Sequence, residues 1–193
     1  NKIFLEVIIG NGFDNEALKI LKKKKNIRLI DATNLKLSDS LKFNSFNENI
    51  LIQSEDKVIF KKKDFKVVSK KKPTKLQFDN LLFALNICRY VKSNAIVLAN
   101  NKTTIGIGSG QTSRLDSCKI AINKMKKFSN ATTDVVAASD AFFPFVDGIE
   151  KLVQSGVKAV IQPAGSIKDK ETIKFANETN TVLIFSKTRH FRH

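Results

Sequence analysis

The run NAIVLANNKTTIGIGSG, residues 94–110, decides how the rest of the chain is read. NAIVLA (94–99) is apolar almost throughout and TTIGIG (103–108) alternates β-branched residues with glycine, so two strands are predicted around a turn at Asn100-Asn101. A helix is predicted next, from about residue 110 to 128, with Leu115, Cys118, Ile122 and Met125 on one stripe. Downstream the pattern repeats as strand VVAAS (135–139), helix 145–154, strand KAVIQ (158–162), helix 169–178 and strand TVLIFS (181–186). Short apolar runs between amphipathic helices imply a mostly parallel, buried sheet flanked by helices.

Upstream of this core, helix 75–91 carries Leu76, Leu81, Leu82, Leu85, Ile87 and Cys88, with Thr74 placed to cap it after Pro73. Residues 33–69 show no helical period; ILIQ (50–53), KVIF (57–60) and FKVVS (65–69) read as short strands. The chain opens with strand IFLEVII (3–9), a turn at Asn11-Gly12, a helix capped by Asp14, and a strand over 27–30, a β-α-β unit. The expected organisation is therefore 1–32 as the end of a first α/β subdomain, 33–74 as a β-rich connecting segment, and 75–193 as a second α/β subdomain.

Composition narrows the function classes. With 42% hydrophobic and 27% charged residues among 193, the chain reads as globular rather than disordered. No apolar run approaches the roughly 20 residues that span a bilayer, so no membrane partner is expected. The opening NKIFLEVIIG reads as a strand, not a signal peptide. Cys88 and Cys118 each fall in a helical apolar pattern and are expected to be free and buried, which fits a reducing cytoplasm. Paired Cys/His spacing for a metal is missing, since the only histidines are His190 and His193. The net charge of +16 invites a nucleic-acid reading. Against it, only Arg28, Arg89, Arg114, Arg189 and Arg192 supply the bidentate fork such binding favours, and the Lys runs are scattered.

Ligands in open α/β sheets gather beyond the carboxyl ends of strands, which singles out four segments. GIGSGQTSR (106–114) offers glycines for close backbone approach, either to a ligand or to a packed helix, and puts Arg114 in the first turn of a helix. Asp140 to Gly148 packs Phe142, Phe143 and Phe145 between Asp140 and Asp147; the rings either plug the core, with a carboxylate capping the helix, or sandwich a planar heterocycle. PAGSI (163–167) is a turn before a helix. The terminal RHFRH (189–193) carries an aromatic that suggests a docked segment rather than a frayed one.

Taken together, VKSNAIVLA, TIGIGSGQTSR, ASDAFFPFVDGIE, VIQPAGSIKDKE and RHFRH resemble, in order and separation, the AICAR transformylase family, and EVIIGNGFDNEALKILKKKKNIRLID and KKPT are similar to it as well. The resemblance implies cytidine-deaminase-like α/β subdomains without zinc. It also implies formyl transfer from 10-formyltetrahydrofolate to the 5-amino group of AICAR in purine biosynthesis, and a homodimer. By matched position, Asn94, Arg114, Phe142, Arg189 and Phe191 are expected at AICAR, and Leu115, Asp147, Ser166 and Ile167 at the folate. Val146 departs from a family position where Arg is common.

The family's Lys-His-x-Asn-Pro stretch and its cyclohydrolase domain do not occur in these residues, which match a C-terminal portion. The chain taken alone is therefore expected to bind substrates without turnover, with the upstream half of the same protein as partner. Two other readings stay open on the residues themselves: a basic nucleic-acid-binding protein, and a non-catalytic nucleotide-binding module using GIGSG.

Overall fold

A computed structural model describes residues 4–35, 41–128 and 133–193. They fall into two compact units, Asn1–Lys42 and Phe43–His193. In the first, β1 (Val7–Gly10), α1 (Asn15–Leu21) and β2 (Arg28–Asp31) form the expected β-α-β unit, with β1 parallel to β2. Asp14 caps α1: its Oδ1 accepts the Ala17 amide at 2.6 Å, satisfying a donor the helix cannot satisfy itself. The strand expected from residue 3 begins at Val7, and residue 3 lies outside the described residues.

A separate hairpin pairs β3 (Leu41–Phe46) with β4 (Asn49–Ser54) across a turn where Asn47 has φ of 50°. β4 was predicted as ILIQ. β3 was not, and its residues explain why: Leu41, Phe43 and Phe46 are exposed, so no buried face imposes a period on LKFNSF. KVIF (57–60) was predicted as a strand and is not one; its Phe60 ring packs on other rings instead of entering a ladder.

The main sheet has the order β5-β10-β9-β8-β6-β7, formed by β5 (Phe65–Val67), β6 (Ile96–Asn100), β7 (Thr103–Gly108), β8 (Val136–Ser139), β9 (Ala159–Pro163) and β10 (Val182–Ser186). β8, β9 and β10 are parallel neighbours, and β7 runs the same way, so the α/β sheet is mostly parallel; β5 and β6 run against it. Asn101 and Lys102, with φ of 48° and 52°, make the tight loop between β6 and β7. Because β6 runs opposite, its start lies at the same edge as the ends of β7 to β10. Asn94, which precedes a strand, is thereby delivered to the edge where the loops after the other strands gather.

Alternate residues of each strand face opposite layers. Val97, Ala99, Val136, Ala138, Ile161 and Ile184 pack with Leu81, Leu85 and Cys88 of α2 (Lys75–Cys88). Ile96, Leu98, Ala137, Val160 and Leu183 pack with Cys118 of α3 (Arg114–Phe128), Leu152 of α4 (Asp147–Gln154) and Ala176 of α5 (Asp169–Glu178). Thr74 starts α2 with a reciprocal capping box, Gln77 N to Thr74 Oγ1 and Thr74 N to Gln77 Oε1, both at 3.1 Å.

Both cysteines are free and buried. Burial pushes the Cys88 thiol well above its ordinary range, helped by the charge of Asp140, although Arg114 pulls it down. Burial likewise pushes Cys118 up to about 12, against the pull of Arg114. The thiolate is the reactive form. In the native chain at pH 7 neither cysteine is expected to react with iodoacetamide on the timescale that labels both after denaturation. Native labelling at the rate of a free thiol, read by intact mass, would contradict this burial.

Candidate functional site

The site is built on Gly106 and Gly108, but not in the way a ligand loop would use them. A Cβ at Gly108 would lie 1.9 Å from the Ser117 carbonyl oxygen, and one at Gly106 would lie 2.1 Å from that of Ala121. These glycines bring α3 directly onto β7. Of the two readings the sequence allowed, helix packing is the one realised at both positions. The close approach seats the first turn of α3 at the sheet edge, and Ser117 Oγ donates to Asn94 O at 2.7 Å to fasten it there.

Arg114 opens α3 and turns its guanidinium into that edge. Nε donates to Ser139 Oγ (3.1 Å), Nη1 to Phe142 O (3.2 Å), and Nη2 to both Asn94 Oδ1 (2.7 Å) and Asp140 Oδ1 (2.8 Å). Four of the five N–H groups of a guanidinium are thus engaged. Arg114 is 10% exposed at the side chain and Asp140 0%, so this is a buried ion pair. Asn94 in turn donates Nδ2 to Gln111 O and Thr112 O, tying the loop before α3 to the start of β6. Asp140 was expected as a possible helix cap; it is the counter-charge of Arg114 instead. The N-cap of α4 is Val146, with no side-chain cap, and Asp147 Oδ1 accepts the amide of Gly148 at 2.7 Å.

The three phenylalanines divide. Phe143 is 1% exposed and plugs the core, lying where a Cβ on Gly148 would come within 2.5 Å of its ring, and its amide donates to Gln162 Oε1 at 3.3 Å. Phe145 is 61% exposed and Phe142 half-buried. Both line clefts. One cleft, of about 340 Å³, is lined by Asn94, Arg114, Leu115 and Asp147 with Pro144 and Phe145. A second, of about 410 Å³, is lined by Phe142, Ser166, Ile167 and Lys168 with the same Pro144 and Phe145. The Pro144-Phe145 step is a shared wall, and both volumes suit part of a small organic ligand.

The residues expected at the nucleotide and at the folate do not sort into one cleft each. Asn94 and Arg114 share theirs with Leu115 and Asp147, while Phe142 shares its own with Ser166 and the 99% exposed Ile167. Arg189 stands over the Phe142 ring, its guanidinium carbon 4.6 Å from the centroid, beside Gly165 at the rim of the second cleft. Phe191 lines neither of these clefts; its carbonyl accepts from Gln53 Nε2 at 2.6 Å, and its ring lies 5.8 Å from that of His193. Sequence reasoning singled out Asp140 but not its pairing with Arg114, and it missed Ser139 and Gln162, buried polar residues at strand ends whose partners are distant in the chain. The available signal was a polar residue closing an otherwise apolar strand. Among the described residues, no three His, Cys, Asp or Glu side chains are grouped to hold a metal ion. Nor is any described helix long and apolar enough to cross a membrane.

Fold and site together define an α/β protein with a carboxylate-anchored arginine at a strand edge and two adjoining clefts. The model of the AICARFT/IMPCHase bienzyme family matches residues 1–124. The bifunctional purine biosynthesis protein PurH of Fusobacterium nucleatum is 49% identical over 193 residues, covering 100% of this chain and 38% of that protein. The PurH protein of Buchnera aphidicola is 47% identical over 194 residues, covering 37% of that protein. That of Aquifex aeolicus is 44% identical over 191 residues, 99% of this chain and 37% of that protein. The chain belongs to the AICARFT/IMPCHase bienzyme family, and it spans about 38% of the length of the curated relatives it matches.

Proposed function

We propose that the chain takes part in transferring the formyl group of 10-formyltetrahydrofolate to the 5-amino group of AICAR, as the surface on which much of both substrates is held. The observation that carries this reading is the pair of clefts that share Pro144 and Phe145, one beside the Arg114–Asp140 pair and the other beside the Arg189–Phe142 stack. Each proposed substrate draws residues from both clefts, so the two would lie side by side across the shared wall, and holding them in contact removes much of the entropic barrier to reaction.

In this reading Asn94, Arg114, Phe142, Arg189 and Phe191 serve AICAR. Arg189 is exposed and free to offer its fork to a phosphate, while Arg114 acts mainly through the Asn94 and Asp140 groups it fixes. Leu115, Asp147, Ser166 and Ile167 serve the folate, with Asp147 accepting from the amino-pyrimidine edge of the pterin. The amine is a poor nucleophile and needs proton removal by a base. His190 does not fill that role here, since it is buried against Phe60 and committed to Asp56. By the family resemblance, the base is expected from the Lys-His-x-Asn-Pro stretch, which does not occur in these residues. The working unit we propose is a metal-free cytoplasmic homodimer, and the isolated 193-residue chain is expected to bind substrates but not to turn them over.

The test is a split of ligand affinities. Asp147→Ala is expected to weaken a folate analogue about ten- to hundred-fold and AICAR little, and Arg189→Ala to do the reverse, since a charge-assisted hydrogen bond contributes roughly 1.5–3 kcal/mol. Equal losses of both ligands in both variants, measured by calorimetry, would refute the assignment.

A further inference from the structure

Segment 53–60 has no part in the reading above, yet it holds the end of the chain at several points. His190 is buried, and its Nδ1 lies 2.6 Å from Asp56 Oδ2. An ionised carboxylate can only accept, so Nδ1 carries the proton. Burial works against the Asp56 charge, but the His190 hydrogen bond, the Val58 amide and the nearby positive charge, that of Arg89 included, together outweigh it and hold the carboxyl below its ordinary range. The His190 ring meets Phe60 edge-on, 5.3 Å between centroids. Arg89 fixes the strip from behind by donating Nη1 to Val58 O. On the main chain, His190 N donates to Asp140 O at 2.8 Å, so one residue, Asp140, holds Arg114 by its carboxylate and the terminal segment by its carbonyl. Gln53 adds a bracket, Nε2 to Phe191 O at 2.6 Å and Oε1 from His193 N at 3.1 Å.

With His190 turned inward, its neighbour Arg189 is turned outward, over Phe142. A slip of one residue would exchange the two. We propose that Asp56 and His190 are positioning residues, a clamp that sets the register of segment 189–193 and so fixes where the Arg189 guanidinium stands to receive an anionic group. Resting on the formyl-transfer reading, that group is the phosphate of AICAR. Neither clamp residue lines either of the two clefts, so they act through Arg189.

The experiment compares the unaltered chain with Asp56→Ala, His190→Phe (which keeps a ring against Phe60) and the conservative Asp56→Asn, which keeps an oxygen acceptor for Nδ1. Two probes are titrated, AICAR and its riboside, which lacks the phosphate. AICAR binding is expected to weaken about tenfold in Asp56→Ala and His190→Phe, the scale of one misplaced charge-assisted contact, with the riboside within about twofold and Asp56→Asn near the unaltered chain. Backbone hydrogen exchange should quicken within 189–193 in Asp56→Ala, chiefly at His190, and stay unchanged across β10, while Ser93 still brackets Arg192. Equal weakening of AICAR and riboside would reduce the pair to general structural support and overturn the proposal, as would unchanged exchange at 189–193. If the unaltered chain takes up neither probe, the formyl-transfer reading fails, and the exchange result still decides the clamp: faster exchange confined to 189–193 upholds it and unchanged exchange overturns it.

Discussion

Replacing Asp140 with alanine is expected to destabilise the chain by about 3–5 kcal/mol, because it strands a buried guanidinium without its counter-charge. Arg114 stays in place, held by Ser139 Oγ, Phe142 O and Asn94 Oδ1, all neutral acceptors that do not offset its desolvation. Asp140→Asn keeps an oxygen facing Nη2 and should cost less, and a double replacement of Arg114 and Asp140 by leucine should recover much of the loss, since apolar pairs often substitute for buried ion pairs without penalty. The measurement is the urea midpoint at constant slope. A loss below about 1 kcal/mol, the scale of an exposed pair, would mean that Asp140 is not the group that neutralises Arg114.

Gly108→Ala is expected to cost about 3 kcal/mol and to weaken ligand binding at the same time. The added Cβ would meet backbone, the Ser117 carbonyl oxygen at 1.9 Å, which no rotamer change can relieve, so α3 must shift. Ser117 Oγ holds Asn94 O, and Arg114 begins the same helix, so the shift is transmitted to both site residues. Gly156→Ala is the control. A Cβ there meets nothing within 4 Å, but φ is +101°, so the cost should be roughly 1 kcal/mol of backbone strain with binding intact. If Gly108→Ala proved no worse than Gly156→Ala, the packing account of the glycine strand would be wrong.

The strands at 96–100, 136–139, 159–163 and 182–186 were legible because both of their faces are buried, which forces continuous apolar runs that few other structures produce. The caps at Asp14 and Thr74 were legible for a related reason: donor and acceptor lie three residues apart, so local spacing contains the whole interaction. The candidate loops were found by position, as the segments at strand ends, and Arg114, Asp147 and Phe142 do line clefts there.

By itself the sequence determined the α/β alternation, the buried free cysteines, the family and the edge of the sheet where the clefts lie. All of these follow from contacts a few residues long or from patterns repeated along the chain. Only the tertiary structure decided that the glycines of β7 receive a helix, that Asp140 answers Arg114 across 26 residues, and that Asp56 reaches His190 across 134. Such pairs carry no spacing of their own. Strand order, the reversed direction of β6 and the antiparallel pairing of β5 with β10 bring them together, and a carboxylate chooses its partner by which donor the fold places within hydrogen-bond reach.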